Sequence, residues 1–106
     1  DDPRVRAAMR WITTNYTLGE NPGLNTQQGL YYYYHVYAEA LHAYGEPTIK
    51  DSKGVEHDWR AELEATLARK QQPDGSFVNP ADRWMESNAV LVTSYVVLTL
   101  EQAQAK

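Results

Sequence analysis

The stretch from Gln71 to Phe77 reads Gln-Gln-Pro-Asp-Gly-Ser-Phe and is the strongest indication of the fold in this 106-residue chain. Pro73, Asp74 and Gly75 predict a tight turn, because proline cannot continue a helix and glycine accepts the backbone angles that such turns require. The residues before the turn have helical spacing, and those after it lead into a second, more apolar helix. The stretch therefore predicts a helical hairpin.

On the two sides of this turn, four segments carry apolar residues at spacings of three and four, which is typical of helices. The predicted helices are Pro3 to about Thr14, a segment with an apolar stripe that stops at Gly45, Asp58 to about Lys70, and the final segment from Asn88. Asp2 and Asp58 are good helix caps, and we expect Ser87 to cap the last helix. That helix is apolar on nearly every side, so we expect it to be covered on several sides. Residues 48–57 have flanks too short for a confident hairpin, and we predict a loop there.

The two halves of the chain correspond when the sequence is shifted by 58 positions. The matched residues are Val5 with Leu63, Ala7 with Ala65, Met9 with Leu67, Asn21-Pro22 with Asn79-Pro80, and Tyr37 with Tyr95. Each half then reads as helix, long turn and more apolar helix, which is the order seen in stacked helical repeats. We predict one all-α domain of two stacked helical hairpins, with repeat units at about residues 3–45 and 59–104.

Composition excludes several classes of function. The formal charge of -4 and the absence of a basic run argue against nucleic-acid binding. The chain contains no cysteine, so it forms no disulfide and no thiolate metal site, and this composition suits either a reducing or an oxidising compartment. The longest apolar run, Ala89 to Leu100, falls short of the roughly 18 residues that a membrane span needs, so we predict a core segment.

Gln71, Gly75 and Phe77 form the pattern Gln-x-x-x-Gly-x-aromatic. This pattern resembles the prenyltransferase and squalene-oxidase repeat of squalene-hopene cyclase-like proteins. Residues from about 59 to 102 carry the resemblance well, and residues 3–45 match only as a degenerate copy. The resemblance implies an αα toroid, in which hairpins build an inner and an outer ring of helices. Two hairpins cannot close such a ring, so we expect the chain to be a fragment whose partner is the remainder of a larger toroid.

The same motif also has a structural reading that does not depend on the family. Gly75 permits the turn, and Gln71 can satisfy backbone groups that are freed where the helix ends. Phe77 can pack over the next hairpin and tie neighbouring units together. We therefore predict a stabilising role for the motif.

If the second helix of each unit is the inner one, its first turns face the cavity. The candidate cavity-lining residues are Gln27, Gln28, Tyr31, Tyr32 and His35 in the first unit, and Trp84, Glu86 and Asn88 in the second. Aromatic walls suit a hydrophobic isoprenoid ligand, either a polyprenyl or a triterpene chain, which would be bound or cyclised there. We expect the other tyrosines of the second helix to serve packing: Tyr33, Tyr34, Tyr37 and Tyr44.

No catalytic residue is identified, because the Asp-x-Asp-Asp acid motif of hopene cyclases does not occur. No metal or cofactor is implied, since the chain has neither a carboxylate-rich metal motif nor a Gly-rich phosphate loop. We expect His35 to make a hydrogen bond at the surface or between helices, and His57 to belong to a helix cap that Trp59 anchors. The alternative function is a non-catalytic toroid module for protein or glycan interaction, and a third is polysaccharide lyase or glycosidase chemistry.

Overall fold

The computed structural model describes residues 2–22, 28–81 and 85–105. The elements in these residues are α1 (Pro3–Thr14), α2 (Leu30–Tyr44), β1 (Ile49–Lys50), β2 (Glu56–His57), α3 (Trp59–Lys70) and α4 (Ala89–Gln104). The structure is thus mostly helical, as the spacing of apolar residues predicted.

In three of the helices, the side chain of the residue directly before the helix caps its first turn. Asp2 accepts a hydrogen bond from the Arg4 amide, and Asp58 accepts one from the Ala61 amide, as expected of helix caps. The cap of α4 is Asn88 and not Ser87, because the Asn88 side chain accepts from two amides of the first turn. The expected boundaries of α1 and α3 are confirmed, and α2 ends before Gly45 as predicted.

The prediction of a loop over residues 48–57 is wrong, because the segment contains an antiparallel hairpin. Ile49 pairs with His57 and Lys50 with Glu56. The turn is stabilised by Asp51, whose Oδ1 accepts hydrogen bonds from the amides of Lys53 and Val55. These contacts close a hairpin whose strands are only two residues long.

The core lies where α4 packs along α2 and, less extensively, along α3. Its buried apolar side chains are Leu30, Tyr31, Tyr34, Tyr37, Ala38, Leu41, Ile49, Trp59, Leu63, Leu67, Phe77, Val92, Val96 and Ala103. Trp59 is fully buried and its indole N–H donates to the carbonyl oxygen of Glu46, so it anchors the start of α3 as predicted. The side chain of Arg60 lies over the same ring at 4.4 Å.

Tyrosines from α2 supply much of this core. Tyr34 and Tyr37 are buried, and Tyr33 packs against them while half-buried, as the packing prediction required. Tyr44 is an exception, because 44% of its surface is exposed at the end of the helix. The apolar stripe therefore loses contact with the core one turn earlier than its spacing suggested.

Two surfaces of the helices are less well covered. All of α1 lies within the described residues, and none of its side chains is fully buried. The side of α4 that carries Val90, Val97 and Leu98 is open, with exposed fractions of 78%, 52% and 46%. The expectation that α4 is covered on several sides is therefore met only toward α2 and α3.

The turn after α3 has the geometry that its sequence predicted. Gly75 has φ +92°, a left-handed conformation that favours glycine. The Gln71 side chain donates to the Gly75 carbonyl at 2.8 Å, so it satisfies a group of the turn itself. Phe77 is buried against Tyr31 of α2, and its amide donates to the Thr93 hydroxyl of α4 at 3.0 Å. The turn thereby fastens α3 to both helices of the core.

Candidate functional site

Tyr32, His35 and Tyr95 form a surface, here called the aromatic patch, where α2 and α4 meet. Tyr32 and His35 lie one turn apart on α2, and Tyr95 approaches them from α4. The ring centroids of Tyr32 and Tyr95 are 5.7 Å apart, and the His35 ring stacks on Tyr95 at 6.4 Å. Tyr32 is 53% exposed, whereas His35 and Tyr95 are half-buried. The patch therefore offers ring faces to solvent on a packed base.

Tyr95 is absent from the predicted cavity residues, although it belongs to the patch. The sequence held no local signal for this contact, because it depends on how α2 and α4 pack against each other. His35 makes no hydrogen bond through Nδ1 to any part of the chain that the structure describes, and this nitrogen is buried. Its expected hydrogen bond is therefore not made through Nδ1, and ring stacking on Tyr95 holds the side chain.

Glu86 is fully buried and accepts hydrogen bonds from three N–H groups. Its Oε1 accepts from the Tyr31 amide and from the Asn79 side chain, both at 3.0 Å, while its Oε2 accepts from the Tyr32 amide at 2.9 Å. Gly29, at the start of α2, has no side chain to make these bonds. Glu86 therefore caps a helix that begins more than 50 residues earlier in the chain.

The other predicted cavity-lining residues that the structure describes lie outside the aromatic patch and differ in their burial. Tyr31 is buried, with edge contacts to Tyr34 and Phe77. Gln28 is half-buried, and its carbonyl oxygen accepts from the Asn21 side chain. Asn88 is exposed and caps α4. Trp84 and Gln27 lie outside the described residues.

Burial affects the acidity of two tyrosines of α2, Tyr31 and Tyr33. Desolvation, followed by the charge of Glu86, raises the pKa of Tyr31. Desolvation alone raises the pKa of Tyr33 to about 12. Both hydroxyl groups therefore stay protonated at neutral pH, and neither is prepared for a role as a base.

A second polar group, here called the His57 cluster, lies between the hairpin, α3 and the segment after α1. His57 Nε2 is 2.8 Å from Asp51 Oδ2, and His57 Nδ1 is 2.8 Å from Glu62 Oε2. Tyr16 stacks on the imidazole at 3.9 Å and donates its hydroxyl hydrogen to Glu62 at 2.5 Å. The sequence indicated His57 as part of a helix cap but gave no signal for Tyr16, which lies 46 residues from Glu62.

The charges of the cluster shift its titration. Desolvation lowers the pKa of His57, but the hydrogen bonds to Asp51 and Glu62 outweigh it, and the net result is a raised pKa. The hydrogen bond from His57 is the main reason why the pKa of Asp51 is lowered. Desolvation, followed by the hydrogen bond to Glu62, raises the pKa of Tyr16.

Over residues 2–22, 28–81 and 85–105, no group of three or more His, Cys, Asp or Glu side chains is arranged to hold a metal ion. In the His57 cluster the two carboxylates lie on opposite ring nitrogens and do not converge on one point. Among the helices described, none has the length and apolar character to cross a membrane. Comparison of the chain with protein-family models, with curated proteins and with solved structures gives no match.

Proposed function

We propose that this chain is part of an αα toroid and that its aromatic patch binds a polyprenyl or triterpene chain. The observation that carries the proposal is the contact of Tyr32 with Tyr95 across two helices, with one ring still 53% exposed. Ring faces on a rigid helical base bind hydrocarbon by dispersion and lose little conformational freedom in doing so. The patch is thus suited to an extended apolar ligand.

The neighbouring apolar side chains extend this surface along both helices. Val36 lies one turn after Tyr32 and is 43% exposed, and Leu98 lies one turn after Tyr95. A hydrocarbon chain lying along α2 and α4 would cover these side chains together with the rings. Their removal from water adds to the binding energy in proportion to the area covered.

We favour binding over cyclisation as the contribution of this chain. Cyclisation of a polyprene by protonation needs an acid with a free proton beside the ligand. Glu86 is the acidic side chain nearest to Tyr32, but three N–H groups donate to its oxygens, which gives it a capping role. A catalytic acid for cyclisation would then be a residue other than Glu86.

Two hydrogen bonds at corresponding positions, one to a backbone carbonyl and one to a side-chain carboxylate, support the proposed duplication and hence the toroid. The Asn21 side chain donates to the carbonyl oxygen of Gln28, seven residues later. The Asn79 side chain donates to Glu86, also seven residues later. A shift of 58 positions brings the first pair onto the second, which is the shift that aligns the two halves of the sequence.

The second candidate function is a non-catalytic toroid module for interaction with a protein. The open side of α4, with Val90, Val97 and Leu98, favours this alternative. Contiguous exposed apolar side chains are typical of surfaces that bind other proteins. A glycan would find fewer polar partners on this side of the helix.

Nuclear magnetic resonance of the labelled chain with added farnesol, a small isoprenoid alcohol, tests the proposal. We expect shift changes at Tyr32, His35 and Tyr95, and affinity weakened by roughly fivefold to tenfold in Tyr32→Ser and Tyr95→Ser, because each loses a ring contact. Tyr44→Ser is the matched control, since Tyr44 is an exposed tyrosine of the same helix that lies outside the patch. Equal weakening in this control, or shifts confined to other surfaces, would contradict the proposal.

A separate assay distinguishes binding from catalysis. The longer protein that the toroid proposal requires would be incubated with squalene and with polyprenyl diphosphates, and the products analysed for rings. Cyclised product that disappears in a Glu86→Gln variant that is still folded at the assay temperature would assign Glu86 a catalytic role. That result would overturn the preference for binding alone.

A further inference from the structure

The His57 cluster has a feature that an ordinary buried histidine lacks, namely a carboxylate on each ring nitrogen. Asp51 Oδ2 lies 2.8 Å from Nε2, and Glu62 Oε2 lies 2.8 Å from Nδ1. Neutral imidazole has a single N–H and can donate to one carboxylate only, whereas the protonated ring donates to both. The observed geometry therefore matches the protonated form.

The cluster connects three parts of the chain. Asp51 belongs to the hairpin turn, Glu62 to α3, and Tyr16 to the segment after α1. These are the titratable groups that face His57, and two of them are carboxylates while the third is a tyrosine that donates to Glu62. No cation from the described residues shares these carboxylates in an ion pair, so His57 supplies the positive charge.

The hairpin turn also contacts α1. The Ser52 amide, next to Asp51, donates to the carbonyl oxygen of Thr13 at 3.3 Å. This bond adds to the packing of Met9 and Ile12 of α1 against the core, where both side chains are only partly buried. A change in the position of Asp51 would therefore affect the last turn of α1.

We propose that protonated His57 is a latch that holds the hairpin turn, residues 51–55, against α3 and α1, and that loss of one ring proton opens it. Nδ1 lies within 3.0 Å of both oxygens of Glu62, whereas Nε2 contacts one oxygen of Asp51. When one ring proton is lost, the remaining proton stays on Nδ1, because there it can bond to either oxygen of Glu62. The lone pair on Nε2 then faces the Asp51 carboxylate, and that contact breaks.

The direction of the pH dependence follows from the shifted groups. The pKa of His57 is raised above its ordinary 6.5, so its stabilising contribution is complete below that pH and is lost as pH rises through the raised value. The pKa of Asp51 is lowered from 3.8, so its contribution is present above that pH and is lost as pH falls through the lowered value. The latch is therefore closed at mildly acidic pH and opens toward alkaline pH.

Hydrogen exchange of backbone amides, corrected for the intrinsic rate at each pH, tests the latch. We expect the protection of the Asp51 and Ser52 amides to fall by about tenfold from about pH 5 to about pH 9, where the proton is lost. In His57→Gln the protection should be low and independent of pH. His42→Gln is the control, since His42 is a half-buried histidine of α2 outside the cluster, and it should behave as the parent does.

Nitrogen-15 spectra of the unsubstituted chain give a second measurement that does not depend on how a variant folds. A doubly protonated His57 ring near pH 6, followed by a tautomer with the hydrogen on Nδ1, would support the proposal. A neutral ring at pH 6, or a hydrogen retained on Nε2, would overturn it. Unchanged pH dependence of the Asp51 and Ser52 amides in His57→Gln would also overturn it.

Discussion

The starts of α2 and α3 are capped in different ways. α3 has its cap, Asp58, in the residue directly before the helix, whereas α2 begins after Gly29 and is capped by Glu86. A local cap stabilises one helix, but a distant cap also fixes the position of two segments relative to one another. The difference shows that the same chemical requirement, partners for the first amides of a helix, can serve either local or tertiary structure.

The largest effect is expected from removal of the distant cap. Glu86→Ala leaves the Tyr31 and Tyr32 amides and the Asn79 side chain without their buried acceptor. We expect the free energy of unfolding to fall by about 3 kcal/mol, measured by urea denaturation.

Glu86→Gln is the matched control for this loss. This variant keeps the shape of the side chain and one acceptor oxygen. Its free energy of unfolding should therefore fall by about half as much as that of Glu86→Ala. A Glu86→Ala variant that unfolds within about 1 kcal/mol of the parent would show that the distant cap is no stronger than a local one.

A smaller effect is expected from the exposed local cap of α3, a helix whose buried side chains belong to the core. Asp58→Ala removes the acceptor for the Ala61 amide at 3.1 Å and should cost about 1 kcal/mol in the same measurement. Asp58→Asn keeps an acceptor and should cost only a few tenths of a kcal/mol. A loss in Asp58→Ala that equals the loss in Glu86→Ala would remove the distinction between the two caps.

The smallest effect is expected at α1. Asp2 accepts from the Arg4 amide at 2.8 Å, but α1 contributes no fully buried side chain to the described core. Asp2→Ala should therefore change the free energy of global unfolding by less than about 0.5 kcal/mol, while hydrogen exchange in the first turn of α1 becomes faster. Global destabilisation as large as that of Asp58→Ala would show that α1 is an integral part of the cooperative unit.

Those features of the fold that depend on neighbours in sequence could be predicted. Asp2 and Asp58 predict the starts of two helices, and Pro73 and Gly75 predict the turn. Such features can be predicted because caps and turns satisfy backbone groups that lie only a few residues away. The hairpin at residues 48–57 was predicted as a loop, since strands of two residues carry almost no periodic signal.

The polar groups of the site could be predicted only in part. Glu86 was named as a cavity residue, but its contacts with α2 depend on a chain separation of 55 residues. Tyr16 had no local pattern that linked it to Glu62 or His57. Such partners are set by the packing of segments that are distant in sequence, which the periodicity of one helix does not specify.

The contact of Glu86 with α2 also determines the order in which the chain can mature during synthesis. While the nascent chain is shorter than 86 residues, the residue that completes the first turn of α2 is absent, and the Tyr31 and Tyr32 amides bond to water instead. In a nascent chain that ends before residue 86, the first turn of α2 is therefore frayed. Completion of that helix is coupled to the arrival of α4, so the two core helices become stable together.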